Sequence, residues 1–459
     1  MLKKISDSGY SLVCTILLGL ASLLRFVGYY MSILMVESVL HSARQRDPHS
    51  IIDHAGYYGQ AVKEVFGTLS SLIVPSILNY VQPKWAMAIG ASLFATYVAS
   101  FLYINNYVYF IASALLGFAY SINLTASSTY QTEFCTKENL PKNAARVWGI
   151  GDTSLFVGAA IYIIVASSSD GQSATHGHRY YSAEETTLMY LVFTGVSLLS
   201  LVVYVMLPTR NLPDSVASMN PRRRLTIREQ GAAVFSMLFH PSLLPLIPRS
   251  LHYGFFHSFY MNVYPTSLQF ATIAASRWPL LAAYYAMARG AGCLFAMFAT
   301  GWLSTRIKDF ALAPLQYITL VMQLTLFALF FITTPQEAVV HPTAASGFLL
   351  EPGLAWALLI GFLIGAVDNA QNTSTMVIFS QVLPDRQAHV HSARRFYAGI
   401  ASATVFFAGP RFGTELHLVL LTTSAIAGAI GFMYSVYSLA QRKVAAIVTK
   451  ADNDDDTTC

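Results

Sequence analysis

Twelve apolar stretches, each long enough to cross a lipid bilayer, constrain this chain more than any other feature of its sequence. A helix of about 20 apolar residues spans the hydrocarbon core of a membrane, and stretches of this length recur between short polar breaks. In chain order they are Tyr10–Val36, Tyr58–Tyr80, Trp85–Ile104, Val108–Tyr130, Val147–Ala166, Leu188–Leu207, Leu243–Phe270, Pro279–Leu303, Phe310–Ile332, Leu354–Phe379, Phe396–Phe412 and His417–Ala440. The pattern predicts an all-α membrane protein with twelve transmembrane helices.

Composition excludes the soluble alternatives. Charged residues make up 11% of the chain, against about 25% in a typical soluble protein, and the mean hydropathy is +0.50. So few charges cannot solvate several globular surfaces, which argues against soluble enzymes, nucleic-acid-binding proteins and secreted disulfide scaffolds. The partner that this composition implies is the lipid bilayer, and the net charge of +5 is typical of basic membrane loops rather than of nucleic-acid binding.

The positions of the basic residues predict the orientation. If the N-terminus is cytoplasmic, most of the 28 lysines and arginines, Arg394 and Arg395 included, fall in segments on the cytoplasmic side. This asymmetry predicts a multi-pass protein with both termini in the cytoplasm. The plasma membrane and an endolysosomal membrane both fit the sequence.

The longest polar break divides the twelve stretches into two sets of six, and it carries Arg222, Arg223 and Arg224. This arrangement is typical of the major facilitator superfamily fold, in which two six-helix bundles are related by an axis along the membrane normal. We expect an N-terminal bundle (1–207), a cytoplasmic basic linker (208–242), a C-terminal bundle (243–440) and a disordered cytoplasmic tail (441–459).

A turn after the eighth stretch resembles the gating turn of this fold, with Gly301, Arg306 and Lys308 at matching positions. Thr305 stands where that motif has an aspartate, and the equivalent turn in the first half is eroded. The seventh stretch contains Pro245 and Pro248, so a broken helix is one of its possible forms.

Polar residues inside the tenth stretch form the first candidate site. Asp368, Asn369 and Asn372 lie with Gly365 on one face of a helix, and a charge at this depth costs about 2.5–3.5 kcal/mol on insertion scales. Asp368 is either a proton, cation or ligand site, or a buried carboxylate held by Asn372 and a basic partner. Gly361 and Gly365 would let a neighbouring helix approach closely.

Further candidates lie in the first, seventh and eighth stretches. Arg25, with Tyr29 one turn on, and Arg289 are either anchors for an anion or structural partners of a buried aspartate such as Asp368 or Asp152. His257 either senses pH or forms hydrogen bonds in a packed interior. Outside this set of candidates, Lys63 and Glu64 are expected to snorkel to the membrane surface, and Asp152 to lie near the start of the fifth helix.

Several segments together resemble the Unc-ninety-three family, the ion-channel regulatory branch of the major facilitator superfamily. They are Gly56–Tyr58 with Leu69–Ser76, Pro83–Gly90, Ala112–Gly117, Trp148 with Ser154 and Gly158, and Gly361, Gly365, Asp368, Asn372 and Thr373. The chain departs from the family at Leu124–Ser128 and at Asp152, where glutamine is usual. The resemblance implies a protein that regulates or escorts a potassium channel or another membrane protein.

No nucleotide-binding loop, catalytic triad, metal signature or cofactor motif is visible in the sequence, so we expect neither an enzyme nor a bound metal or cofactor. Two functional classes remain open. The eroded gating turn favours a regulator or escort of a channel or receptor, which we take as the first hypothesis. The charges inside the membrane favour the alternative, a proton-coupled secondary transporter of a small and anionic organic solute.

Overall fold

Twelve long helical segments cross the molecule in the computed structural model, which describes residues 6–136, 139–167, 179–210, 212–219, 226–383 and 387–456. Arg222, Arg223 and Arg224 lie outside the described residues. The segments are α1 Asp7–Arg46, α2 Ala55–Ile77, α3 Pro83–Ala99, α4 Asn106–Phe134, α5 Leu140–Asp152 with Ser154–Ser167, α6 Ala183–Met206, α7 Ile247–Ser258 with Phe259–Val263 and Tyr264–Phe270, α8 Leu281–Arg306, α9 Ala313–Thr333, α10 Leu354–Val382, α11 Gln387–Ala408 and α12 Thr414–Asp456.

Nine helices within the described ranges are individually long and apolar enough to cross a membrane. The remaining three segments are α2, α7 and α11. Segment α7 is interrupted, while α2 carries Lys63 and Glu64, and α11 carries Arg394 and Arg395. All twelve pack into the two six-helix bundles of the major facilitator fold, so the predicted fold class is confirmed.

The two bundles meet along two seams, where α2 packs against α11 and α5 packs against α8, and α1 contacts α7 between them. We call the membrane side where α1 begins the terminal face, and the other side the opposite face. Asp7, at the start of α1, binds Arg210, just beyond the end of α6, at 2.8 Å. The start of α1 and the end of α6 therefore share the terminal face.

Within the C-terminal bundle, the predicted close approach of α10 to a neighbour is present, and the neighbour is α8. A Cβ atom on Gly365 would overlap the backbone carbonyl of Arg289. Because glycine has no side chain, the two backbones come into contact. Asp368, about one turn along α10, is thereby brought next to Arg289.

Segment α7 is interrupted, but by a π-helical turn at Phe259–Val263 rather than at Pro245 and Pro248, which precede its main helix or begin it. The amide of Tyr264 donates to the carbonyl of Phe259, five residues back. Pro265 follows and has no N–H to continue this register. The carbonyl of Tyr260 instead accepts a hydrogen bond from the Tyr285 hydroxyl of α8, at 2.7 Å.

The segment predicted to be a linker contains a helix, Ile227–Leu238, which we call the linker helix. Its start is fixed by a capping box formed by Thr226 and Glu229. The linker helix packs against both α2 and α11, and the Tyr397 hydroxyl of α11 donates to the carbonyl of Leu238 at 2.8 Å. It therefore lies across the α2–α11 seam.

The chain beyond residue 440 differs from the prediction of a disordered tail, because α12 continues to Asp456. The residues from 440 to 449 include alanine, glutamine, arginine and lysine and no glycine or proline. These residues favour helix or tolerate it, so nothing in the local sequence ends the helix at the membrane boundary.

Candidate functional site between the two bundles

An ion pair between α8 and α10 lies at the centre of the candidate site. Arg289 Nη2 lies 3.4 Å from Asp368 Oδ2, and Asn372 Nδ2 donates to Asp368 Oδ1 at 3.0 Å. Both charged side chains are buried. The structure therefore agrees with the interpretation in which Asp368 is held by Asn372 and a basic partner. Neighbouring Asn369 is half-buried, and its carbonyl accepts from the Thr373 hydroxyl.

Aromatic rings connect this ion pair to the N-terminal bundle. The Arg289 guanidinium lies 4.5 Å from the ring of Tyr260 on α7 and 5.6 Å from the ring of Tyr30 on α1. A cation over an aromatic face is stabilised without a second counter-ion. Arg289 thus contacts an aromatic ring of each bundle.

A second ion pair joins the two bundles directly, across the α2–α11 seam. Glu64 binds Lys63 at 2.9 Å and Arg395 at 3.3 Å. The side chains of Lys63 and Glu64 are only 3% and 2% exposed, so the prediction that they snorkel was wrong. They begin about 12 Å along α2 at 1.5 Å per residue, and α4 packs so closely at Gly117 that a Cβ there would overlap the Lys63 carbonyl.

Arg394 and Arg395 were expected in a cytoplasmic segment, but they lie in α11 beside the two ion pairs. Arg394 Nη2 donates to Asn372 Oδ1 at 2.9 Å, and its guanidinium lies 4.8 Å from the ring of Tyr253. Among the described residues no carboxylate forms a salt bridge with Arg394. Since both arginines are only half-buried, they form the accessible cationic part of the site.

Arg25 is not a partner of Asp368 or Asp152, as one of the two hypotheses required. Its Nε donates to the Tyr204 hydroxyl at 3.3 Å, and its guanidinium lies between the rings of Phe26 and Phe94, at 4.0 and 4.6 Å. Tyr29 packs on the same Phe94 ring at 5.1 Å. Arg25 and Tyr29 therefore form an aromatic cluster within the N-terminal bundle.

His257 and Asp152 both have close neighbours in the structure. The buried His257 ring packs against Tyr253 and Tyr260 at 6.2 and 5.3 Å. Asp152 ends the first piece of α5 instead of lying near the start of the helix, because α5 begins at Leu140. From there Asp152 interacts electrostatically with Arg289 and Asp368.

Hydrogen bonds close the site on the opposite face. The Tyr181 hydroxyl donates to Gln269 Oε1 at 2.8 Å, and Gln269 Nε2 donates to the Leu34 carbonyl at 3.0 Å. The Tyr57 hydroxyl donates to the Val339 carbonyl at 2.5 Å. We call these residues the opposite-face seal. Sequence reasoning missed the seal, although Gln269, a polar residue at the end of an apolar stretch, was a visible signal.

Two basic groups stabilise this seal from outside the membrane helices. Burial alone would lower the pKa of Arg179, but the nearby Tyr162, Tyr181 and Glu185 raise it overall, so the guanidinium stays charged. The hydrogen bond between His54 Nδ1 and Glu37 Oε1, at 3.3 Å, raises the pKa of His54.

Comparison with known proteins identifies the family of the chain. A family model described as "Ion channel regulatory protein UNC-93" matches residues 47–433, which include both ion pairs, Arg394 and most of the seal. The chain belongs to the UNC-93 family. Arg25 and Tyr29, on α1, lie outside the matched residues.

Curated relatives of this UNC-93 family chain include a full-length match. UNC93-like protein MFSD11 of Xenopus laevis is 21% identical over 457 residues, which cover 96% of this chain and 99% of that protein. UNC93-like protein 1 of Arabidopsis thaliana is 22% identical over 199 residues, or 42% of each chain.

Solved structures confirm the fold of this UNC-93 family chain. The nucleoside transporter NupG matches with a TM-score of 0.63 at 14% identity, covering 92% of this chain and 99% of NupG. The xylose transporter XylE from E. coli, in a partially occluded inward-open conformation, matches with a TM-score of 0.60 at 15% identity, covering 93% and 97%. At these identities the likeness concerns the fold alone.

The predicted gating turn of this UNC-93 family chain lies away from the site. Gly301, Arg306 and Lys308 are exposed at the terminal face. Arg306 lies over Trp302 of its own helix, 5.5 Å from the ring. Any gating role of this turn stays a prediction.

Proposed function

We propose that this UNC-93 family protein binds a small organic anion between its two bundles and moves it across the membrane by exposing the site to each face in turn. The observation that carries the proposal is the Glu64–Arg395 ion pair, which joins the bundles across the α2–α11 seam beside the half-buried Arg394. Ionised groups at this depth are costly and mark solute or ion pathways.

The charge balance at the site supports an anion as the solute. The cationic side chains near the seam outnumber the carboxylates: Lys63, Arg289, Arg394 and Arg395 face Glu64, Asp152 and Asp368. In the described part of the chain, the one hydrogen-bond acceptor of Arg394 is the Asn372 amide oxygen. A carboxylate or phosphate can bind a guanidinium through two parallel hydrogen bonds, so it would replace this single neutral contact.

The network of Asp368 supports coupling to protons. Asn372 donates to Asp368 and accepts from Arg394, so one amide connects the carboxylate with the proposed solute-binding arginine. Protonation of Asp368 would end its attraction for Arg289 and release the hydrogen bond from Asn372. An anion that binds Arg394 competes with the Asn372 amide oxygen for the guanidinium, which would link its binding to the protonation state of Asp368.

Transport by purified protein in liposomes tests the proposal. We expect a panel of small organic anions to contain one that enters when a pH gradient is imposed. Arg394→Gln should abolish its uptake, while the control Arg411→Gln, at an exposed position outside the site, should leave uptake unchanged. Asp368→Asn should remove the dependence on the pH gradient. Uptake by Arg394→Gln at the unmodified rate would contradict the solute site.

A second function, regulation or escort of a potassium channel or another membrane protein, is favoured by the description of the matched family model. The aromatic filling of the centre by Tyr29, Tyr30 and Tyr260, all buried, is also consistent with it. Affinity capture in mild detergent should then recover a channel or receptor whose current or surface level changes on depletion. Capture should be unaffected by Arg394→Gln, which separates this function from transport.

The orientation and the domain limits also stay predictions. We propose that both termini are cytoplasmic and that the basic segment 208–242 connects the bundles. Epitope tags at the two ends should bind antibody only after cells are permeabilised. Labelling of either tag in intact cells would reverse the assigned orientation, and organelle markers in the same cells would distinguish plasma membrane from endolysosomal membrane.

A further inference from the structure

One more arginine, Arg249 on α7, lies inside the C-terminal bundle and is only 1% exposed. Its Nε donates to Thr375 Oγ1 at 3.2 Å, and its Nη2 donates to the Gln371 carbonyl at 3.3 Å and to Ser374 Oγ at 3.1 Å. All three acceptors are neutral oxygens on one turn of α10. No carboxylate in the described part of the chain forms a salt bridge with Arg249.

The helices around Arg249 offer no negative charge to balance it. Within the described membrane-spanning parts of α7 to α11 the only acidic residue is Asp368, while α12 carries Glu415 at its opposite-face end and Asp452 and Asp454–Asp456 at its other end, about 30 Å along the helix from Phe432. Asp368 is already paired with Arg289. Arg394, on α11, is a second cation that repels Arg249 electrostatically.

Unused hydrogen-bond donors lie around the same guanidinium. Neither Arg249 Nη1 nor Gln371 Nε2 has a hydrogen-bond partner among the residues that the structure describes, and both atoms are buried. Gln371 Oε1 is occupied, because it accepts from Gln323 Nε2 at 3.2 Å. The guanidinium also faces the ring of Phe432 on α12, at 5.5 Å. The buried acceptor Gln323 Oε1 also has no partner among the described residues, but the groups left unmet on Arg249 and Gln371 themselves are donors, which an acceptor would satisfy.

The neighbouring His252 has no acceptor left for Arg249. Gln323 Nε2 lies 2.7 Å from His252 Nε2, and Ser424 Oγ lies 2.9 Å from His252 Nδ1. The amide donates to Nε2, and Nδ1–H donates to the serine, so His252 is neutral with both ring nitrogens used. A buried guanidinium without a counter-charge is destabilising, and an anion bound beside Arg249 would offset that cost.

We infer that Arg249 binds a small inorganic anion inside the C-terminal bundle, between α7, α9 and α10, with chloride as the probe. A monovalent anion balances the single charge of Arg249 and only accepts hydrogen bonds, which matches the free donors Arg249 Nη1 and Gln371 Nε2. A halide is also cheaper to desolvate than a phosphate. This site is separate from the seam at Glu64 and Arg395, so the inference does not depend on the proposed transport function.

Thermal unfolding of the purified full chain in detergent tests the site. At constant ionic strength, replacing gluconate with chloride should raise the Tm in a saturable way, by about 3 °C if chloride reaches 100 times its Kd. Bromide should substitute for chloride. The control Arg306→Gln, in the exposed turn, should respond as the unmodified chain does.

Variants of the site give the decisive outcomes. Arg249→Met should lose the chloride response, and in gluconate it should unfold at a higher temperature than the unmodified chain, because it removes an unbalanced charge. If Arg249→Met does not fold, Gln371→Leu serves instead and should raise the chloride concentration for half-maximal effect about tenfold. An equal Tm of the unmodified chain in chloride and gluconate, or an undiminished response in the variant that folds, would overturn the inference.

Discussion

At the scale of single residues, Glu37 connects the opposite-face seal to the start of α2. Its carboxylate accepts from the Tyr57 amide at 3.2 Å and shares a hydrogen bond with His54. Tyr57 is also the residue whose hydroxyl reaches Val339 in the other bundle. The protonation state of His54 therefore affects Glu37, which positions Tyr57 for its hydrogen bond to Val339.

We expect the stabilisation by His54 to depend on pH in a defined direction. Because the pKa of His54 is raised in the folded protein, its contribution is complete below the usual histidine pKa of about 6.5 and disappears as the pH rises through the raised value. The Tm difference between the unmodified chain and His54→Gln should therefore be largest in acid and shrink towards alkaline pH.

The exposed His49, on the same loop, provides the control, and His49→Gln should show no such trend. A difference between the unmodified chain and His54→Gln that grows with pH would contradict the assignment.

At the scale of elements, the α2–α11 seam depends on a charge pair of defined polarity. Removing one partner of a buried ion pair costs about 3–5 kcal/mol, so Glu64→Gln and Arg395→Gln should each lower the free energy of unfolding strongly. The double variant should lose less than the sum, because Glu64→Gln already removes the partner of Arg395, while Lys63 loses its carboxylate in Glu64→Gln and in the double variant alike. Chemical or thermal unfolding of the four proteins measures this coupling. Strictly additive losses would show that the two residues do not act together.

The π-helical turn of α7 depends on a hydroxyl group from α8. Tyr285→Phe removes the donor to the Tyr260 carbonyl and should destabilise the protein by about 1–3 kcal/mol, the cost of an unsatisfied buried group. Tyr284→Phe, at the adjacent and less buried position, is the matched control and should have little effect. Equal Tm values for the two variants would exclude this role of Tyr285.

The sequence predicts the elements better than it predicts their contacts. Apolar length locates the twelve segments, Gly361 and Gly365 predict the close helix approach, and one of the two interpretations of Asp368, a carboxylate held by Asn372 and a basic partner, agrees with the structure. The environment of Glu64 was not predictable, because its partner Arg395 is 331 residues away and local hydropathy treats both as surface charges. The predicted carboxylate partner of Arg25 was wrong for a related reason, because the rings of Phe26 and Phe94 contact its guanidinium instead.

At the scale of the whole molecule, the site is closed on one face and partly accessible from the other. The seal of Tyr57, Tyr181 and Gln269 closes the opposite face. Arg394 and Asn372 are half-buried, and they lie on α11 and α10, the helices that begin and end at the terminal face. This asymmetry is the one expected for a single state of the proposed transport cycle.

Cysteine labelling in sealed vesicles tests the asymmetry. In a background without the native cysteines, Asn372→Cys should react with a membrane-impermeant maleimide added at the terminal face and be protected from reagent at the opposite face. Adding Gln269→Ala removes the side-chain hydrogen bonds to Tyr181 and Leu34, and should increase labelling from the opposite face. The exposed Gln45→Ala should not. Equal labelling from both faces without Gln269→Ala would contradict the closed seal.

The linker helix has a mechanical consequence for all of these motions. Because Ile227–Leu238 rests on α2 and α11 together, the bundles cannot swing apart at the terminal face unless it detaches from one of them. A protein or lipid that holds the linker helix against both bundles would slow the proposed conformational cycle, and one that detaches the linker helix would speed it. Regulation by a bound partner and transport of a solute would then both depend on the contacts of this linker helix.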